Sequence, residues 1–262
     1  MQSTGQYRQI TFRTSPGYIY IVSGTSLIGS ETIGSTPQFG AYDSGNGYVY
    51  VTDWGTSAVA VTSGTSLMSN VLVQTDPESV TYDSGNGYVY VPNFGSSSVS
   101  VISGTSLVTN LPVQTNPEFA TYDPNNGYLY VSNSGSSSVS IISGTSVITT
   151  VPTASSPLRG VYDPSNGYIY ISNNNALGSV SVFSGTSLIA NIPVVSKADG
   201  ILYNPGNGYI YVSGTGTEVS VISGTSLVGN VAVGGSSGIG AYDSGNGYVY
   251  IPNGSGVVSV LT

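Results

Sequence analysis

The sequence predicts an all-β chain, a β-propeller of four-stranded antiparallel blades, and three observations carry that expectation. A Ser-Gly-Thr-Ser turn recurs from Ser23, Ser63, Ser103, Ser143, Ser184 and Ser223, at spacings of 40, 40, 40, 41 and 39 residues. A second turn begins at Tyr42-Asp43, Tyr82-Asp83, Tyr122-Asp123, Tyr162-Asp163, Tyr203-Asn204 and Tyr242-Asp243, and each is followed by a Gly-Tyr pair such as Gly47-Tyr48. Between the turns lie only short apolar runs, and no segment holds the 3.6-residue period of a long helix. Repeats of this length mean a solenoid, a propeller or an array.

One unit justifies the elements in order. Phe119 to Tyr122 reads as a short strand, and Asp123-Pro-Asn-Asn-Gly127 supplies the Asx, Pro and Gly chemistry of a tight turn. Tyr128 to Val131 is apolar on both faces, as expected for a strand buried on two sides. After a loop at Asn133, Val139 to Ile142 forms a third strand, Ser143-Gly-Thr a hairpin turn and Val147 to Val151 a fourth strand. Four antiparallel strands per repeat make a propeller blade.

The ends supply partial units. In register, Tyr7 to Arg13 falls on a second strand, Gly17 to Val22 on a third and Leu27 to Ile33 on an outer strand; the C-terminus offers an inner strand near Ile239 to Tyr242, a second at Tyr248 to Ile251 and a third at Val257 to Leu261. Six blades are expected, with seven as the alternative, because seven would leave one blade without its inner strand. The whole chain, 1–262, reads as one propeller domain whose terminal strands contribute to the closing blade or blades.

The second strands read Tyr90-Val-Pro-Asn93, Tyr130-Val-Ser-Asn133, Tyr170-Ile-Ser-Asn173 and Tyr250-Ile-Pro-Asn253, with Asp53 and Gly214 as exceptions at the Asn position. On these motifs residues 17 to 262 resemble the YVTN-type β-propeller repeat of archaeal and bacterial surface-layer proteins. The resemblance implies a repeat scaffold on a cell surface rather than one shared reaction. All 21 tyrosines belong to the pattern, 18 of them in the repeated triplets, and their expected role is blade-to-blade packing. The recurring Asp is expected as an Asx-turn acceptor.

Composition narrows the function classes. With 12 acidic and 4 basic residues the net charge is -8, and charged residues make up only 6%. Nucleic acid is not an expected partner, because phosphate neutralisation needs clustered Lys and Arg. A polar, weakly charged surface changes little with pH, which suggests an acidic exterior and an acidophilic archaeon or its virus as source. Cysteine and histidine are absent, so thiolate sites and histidine-based catalysis are excluded. No apolar run spans a membrane, membrane insertion is not expected, and no signal sequence stands in the chain. One sequon, Asn253-Gly254-Ser255, marks Asn253 as a glycosylation candidate. Seven Asn-Gly pairs, including Asn46-Gly47 and Asn253-Gly254, predict deamidation in warm neutral solution and slower ageing in acid.

Sequence variation gathers in the loops after the outer and second strands, where binding usually sits. These carry Gln38, Phe39, Asp76, Glu78, Glu118, Phe119, Arg159, Lys197 and Asp199 on one set, and Asp53, Trp54, Asn93 and Phe94 on the other. The candidate ligand-binding set is Asp53, Trp54, Asn93, Phe94, Phe39, Glu78 and Glu118, aromatic platforms beside hydrogen-bonding groups. No catalytic residue, metal or cofactor is expected. The chain therefore reads as an extracellular, non-enzymatic structural or adhesive surface module, self-assembling or bound to protein partners or glycans. The alternatives are a lectin-like carbohydrate binder and, third, a carboxylate-dependent glycosidase or lyase using Glu78 and Glu118.

Overall fold

The computed structural model describes residues 9–13, as backbone, together with 17–235 and 238–262. It divides into two compact units, Met1–Pro112 and Val113–Thr262. The first unit holds three antiparallel sheets. The first sheet is β1 (Gln9–Arg13), β2 (Gly17–Ser23) and β3 (Ser26–Gly34); the second is β4 (Pro37–Tyr42), β5 (Val49–Asp53), β6 (Ala58–Ser63) and β7 (Ser66–Leu72). The third is β8 (Thr81–Tyr82), β9 (Val89–Asn93), β10 (Ser98–Ser103) and β11 (Ser106–Pro112).

The second unit holds four sheets. The fourth sheet is β12 (Pro117–Asp123), β13 (Tyr128–Asn133), β14 (Ser138–Ser143) and β15 (Ser146–Pro152), and the fifth is β16 (Pro157–Asp163), β17 (Tyr168–Asn173), β18 (Ser179–Ser184) and β19 (Ser187–Pro193). The sixth is β20 (Gly200–Asn204), β21 (Tyr209–Ser213), β22 (Glu218–Ser223) and β23 (Ser226–Ala232), and the seventh β24 (Ala241–Asp243), β25 (Tyr248–Pro252) and β26 (Val258–Leu261). Each sheet pairs neighbours in chain order, so the fold is a β-propeller with seven blades. No helix among the described residues is long and apolar enough to cross a membrane.

The expectation of six blades is corrected. β1 pairs with β2 from Gln9↔Val22 to Arg13↔Tyr18, and β25 pairs with β26 from Val249↔Leu261 to Pro252↔Val258. Each end thus owns a second and a third strand, and a four-stranded blade has one slot for each. Both stay as three-stranded sheets, the first without an inner strand and the seventh without an outer one.

The middle strands are buried on both faces, as in β9 and β13, because they pack between consecutive sheets. In the first unit Val59 and Val61 of the second sheet meet Val80, Val89 and Val91 of the third. In the second unit Val180 and Val182 meet Ile201, Ile210 and Val212. Outer strands alternate exposed and half-buried residues. Next to each Ser-Gly-Thr-Ser hairpin the register shifts, so Met68, Val108 and Ile148 bulge outward and are exposed. The hairpin glycines, such as Gly64 at φ 60° and Gly104 at φ 57°, supply the positive dihedral at the first turn position.

The turn is bonded alike in all six copies, with Asn204 in place of Asp in the fifth. The Asp43 carboxylate accepts from the Gly45 amide at 2.8 Å, the Gly47 amide donates to Asp43 O at 2.9 Å, and the Tyr48 amide donates to Asn46 Oδ1 at 2.8 Å. Asn46 Nδ2 then donates to the Tyr50 hydroxyl at 3.2 Å, which donates to Gly104 O of the third sheet at 2.9 Å. Tyr130 repeats this link to Gly185 O at 2.8 Å. Burial pushes the Tyr130 and Tyr170 hydroxyls up to about 12, so they remain proton donors. A Tyr82 hydrogen bond to Asp43 adds a further tie between the second and third sheets.

Candidate functional site

The inner strands begin irregularly, and the irregularity aims side chains. Pairing shifts between Pro37 and Gly40, Pro117 and Ala120, and Pro157 and Gly160, so Gln38-Phe39, Glu118-Phe119 and Leu158-Arg159 stand out of their ladders. A bulge redirects the side chains it carries. Second-strand hydroxyls hold the bulge backbone: the Phe39 amide donates to Thr52 Oγ1 at 3.1 Å, and the Arg159 amide to Ser172 Oγ at 3.3 Å. Ser172 Oγ also reaches the carbonyls of Arg159 at 3.2 Å and Asp199 at 3.4 Å, tying the inner ends of two consecutive sheets.

In the second unit three consecutive sheets deliver one cluster. Glu118 and Phe119 come from β12, Arg159 from β16, and Asp199 from the residue before β20. The Arg159 guanidinium stands over the Phe119 ring, 4.1 Å from its centroid, and its Nε donates to Asp199 Oδ1 at 3.4 Å. The paired side chains are 22% and 42% exposed, so the ion pair contributes only about 0–1 kcal/mol. Its effect is orientation, because ring and carboxylate together fix the guanidinium. Burial raises the Glu118 pKa above the usual carboxylate value; a Ser134 hydrogen bond and the Arg159 charge oppose the rise, and the Asp199 charge adds to it. The cluster thus combines a carboxyl group inclined to keep its proton, a fixed cation and a second carboxylate.

The candidate residues fall in different settings. Asp53 is fully buried: Oδ1 accepts from the Thr56 amide at 2.9 Å and Oδ2 from the Ser35 amide at 2.7 Å, capping the short 3-10 turn Trp54–Thr56. That carboxylate is spent inside the fold and is a cap, not a ligand group. Asn93 is also fully buried and donates through Nδ2 to Ser98 Oγ and Ser100 Oγ at 3.1 and 3.0 Å, Ser100 in turn donating to Asn110 Oδ1 at 2.6 Å. Asp53 faces Ala58 and Ala60 instead of serines, which is why a carboxylate fits there and an amide fits in the third sheet.

Trp54 is 41% exposed at the head of its turn, and half-buried Phe94 holds the same place in the third sheet. Phe39 packs on the core between the second and third sheets. The half-buried Glu78 sends its backbone amide to Pro92 O at 2.9 Å. Glu78 lies in the first unit and Glu118 in the second. Asn253 donates through Nδ2 to Val233 O at 2.8 Å. Phe119, Arg159 and Asp199 stand among the variable positions of the sequence but outside its candidate set. The available signal was the scarcity of charge: a lone Arg beside a bulge, in a chain with 6% charged residues, needs partners.

No known family model and no curated protein matches the chain. Solved structures do match in fold. Hydrazine synthase of Kuenenia stuttgartiensis is similar with a TM-score of 0.73 at 16% identity, over 100% of this chain and 98% of that one. Virginiamycin B lyase from Staphylococcus aureus gives 0.69 at 11% identity, over 86% and 84%, and the WD40 β-propeller domain of Doa1 gives 0.68 at 15%, over 99% and 94%. These likenesses show the β-propeller fold. They count against the expectation of an extracellular structural or adhesive module, since propellers of this architecture include a synthase and a lyase; at 11–16% identity the likeness is one of fold and settles neither an enzymatic nor a non-enzymatic role.

Proposed function

We propose that this propeller binds a small organic molecule at the Glu118, Phe119, Arg159 and Asp199 cluster and acts on it by proton transfer, as a lyase or hydrolase does. The observation that carries the reading is the raised Glu118 carboxyl beside a guanidinium fixed by Phe119 and Asp199. Glu118 serves as the acid, since a carboxyl that holds its proton to higher pH donates better near neutrality. Arg159 stabilises negative charge that develops on the substrate, and Asp199 holds Arg159 in place and offers a carboxylate as base. The fold's use by a lyase supports the reading. Screening lactones, esters and glycosides with wild type and Glu118→Gln tests it; a general acid contributes about 10²–10⁴-fold, so the variant should lose that factor with binding retained. Unchanged turnover in Glu118→Gln would overturn it.

A second reading rests on Trp54, 41% exposed, with Phe94 at the matching place in the next sheet. An aromatic platform suits a sugar ring or a protein partner. Trp54 is the chain's only tryptophan, so its fluorescence should shift when a glycan binds and stay constant if that face is idle. The kinship with YVTN-type repeats is supported by the Tyr-x-x-Asn second strands, and a place outside the cell by the weakly charged polar composition.

A further inference from the structure

The seven Asn-Gly pairs are equivalent in sequence and unequal in structure, and the difference singles out one of them. Conversion of Asn-Gly begins when the glycine nitrogen attacks the asparagine Cγ. In the five Asp turns and the matching Asn204 turn that nitrogen is engaged: the amides of Gly47, Gly87, Gly127, Gly167, Gly208 and Gly247 donate to the turn carbonyl at 2.8–2.9 Å. The asparagine amide is held as well. Asn86, for example, accepts from the Tyr88 amide at 2.8 Å and donates to the Tyr90 hydroxyl at 2.9 Å, and Asn166 and Asn246 are held alike. Attack would require breaking the glycine amide's hydrogen bond in a turn that supports the next strand.

Asn253-Gly254 follows β25 and lies outside that turn. Among the described residues the Gly254 amide has no backbone acceptor. Asn253 Oδ1 accepts three donors: the Ser255 hydroxyl at 2.5 Å, the Ser255 amide at 3.2 Å and the Val257 amide at 3.3 Å. Donors converging on a carbonyl oxygen polarise it and stabilise the oxyanion formed on attack. Gly254 and Ser255 are exposed, so water reaches the product.

We infer that Asn253 is a self-modification site, converting through a cyclic imide to aspartyl and isoaspartyl forms much faster than the six turn asparagines. The Gly254 nitrogen bonds to Cγ, the Cγ–Nδ2 bond breaks, and Nδ2 leaves as ammonia with the Gly254 proton; water then adds across either imide carbonyl to open the ring. The new carboxylate faces Val233 O, where Nδ2 had donated, and so loosens the tie between the seventh sheet and the end of the sixth.

Peptide mapping by mass spectrometry after incubating the folded chain in warm, mildly alkaline buffer tests this, with a parallel sample in denaturant. Asn253 should convert at least about tenfold faster than any turn asparagine in the folded chain, a barrier difference of about 1.4 kcal/mol. In denaturant the seven rates should converge. Equal rates in the folded chain, or a preference for Asn253 that persists unchanged in denaturant, would overturn the inference. Ser255→Ala removes the shortest donor and should slow conversion in the folded chain alone; an unchanged folded-state rate would remove the oxyanion argument.

Discussion

The two ends of the blades differ in what they keep constant. At one end, six turns repeat one hydrogen bond, from the amide two residues on to the side-chain oxygen of Asp43, Asp83, Asp123, Asp163, Asn204 or Asp243. At the other end the side chains vary while the backbone holds: Asp76, Asn116, Ser156 and Lys197 occupy equivalent places with φ of 56, 54, 57 and 49°. Phe94, Ser134 and Asn174 send their amides to the carbonyls of Asp76, Asn116 and Ser156 at 2.8–2.9 Å. A loop whose path is fixed by its backbone leaves its side chains free to differ, and chemistry can collect there. The constant end, where side chains make the bonds, has no such freedom.

Glycine substitutions should expose this contrast most strongly. At Gly178, on the variable end, a Cβ would lie 1.8 Å from Val195 O, and φ is already 68°. Gly178→Ala should cost about 3 kcal/mol or more, since backbone must move. At Gly144 in the hairpin nothing lies within 4 Å, so Gly144→Ala should cost only the left-handed dihedral, about 1–2 kcal/mol. Denaturant midpoints of the two variants would separate contact from conformation, and equal losses would erase the distinction.

Tyr130→Phe probes the constant end. It strips a buried hydroxyl from between the exposed Asn126 and the half-buried Gly185 O, losing two hydrogen bonds worth about 0.5–1.5 kcal/mol each. Tyr42→Phe, at a 61% exposed tyrosine, should be nearly silent by the same assay. Asp53→Asn should cost less, about 0.5–2 kcal/mol, because one of two accepting oxygens is lost at a cap. A thermal melt in which Asp53→Asn is neutral would mean that the cap is not set by the carboxylate.

The fold was legible because the repeat places turn chemistry and apolar runs at a fixed spacing. The blade count was less so: Tyr18 to Val22 shows a third strand in sequence, but only its pairing with β1 shows that the terminal strands stay in separate sheets. Asp53 and Asn93 looked like ligand groups because a loop position gives no sign of burial, and both turn out to be internal caps or donors. The Arg159 cluster was illegible for another reason. Its members sit about 40 residues apart, and only the bulges at Glu118-Phe119 and Leu158-Arg159 bring the charges of three sheets together.

The proposed chemistry has a definite pH signature. A carboxyl whose pKa is raised by folding binds its proton more tightly in the folded chain. Its contribution to stability is therefore full below the ordinary carboxylate pKa and is lost as pH rises through the raised one. Glu118→Gln should flatten stability against pH in that window, and a slope identical to wild type would place the raised carboxyl elsewhere.

The most direct measurement is a carboxyl-carbon NMR titration of Glu118 in the wild type, Arg159→Met and Asp199→Asn. The account predicts a wild-type pKa above the ordinary glutamate value, a further rise when the Arg159 charge is removed and a fall when the Asp199 charge is removed. A wild-type pKa at or below the ordinary value, or one that neither substitution moves, would contradict it.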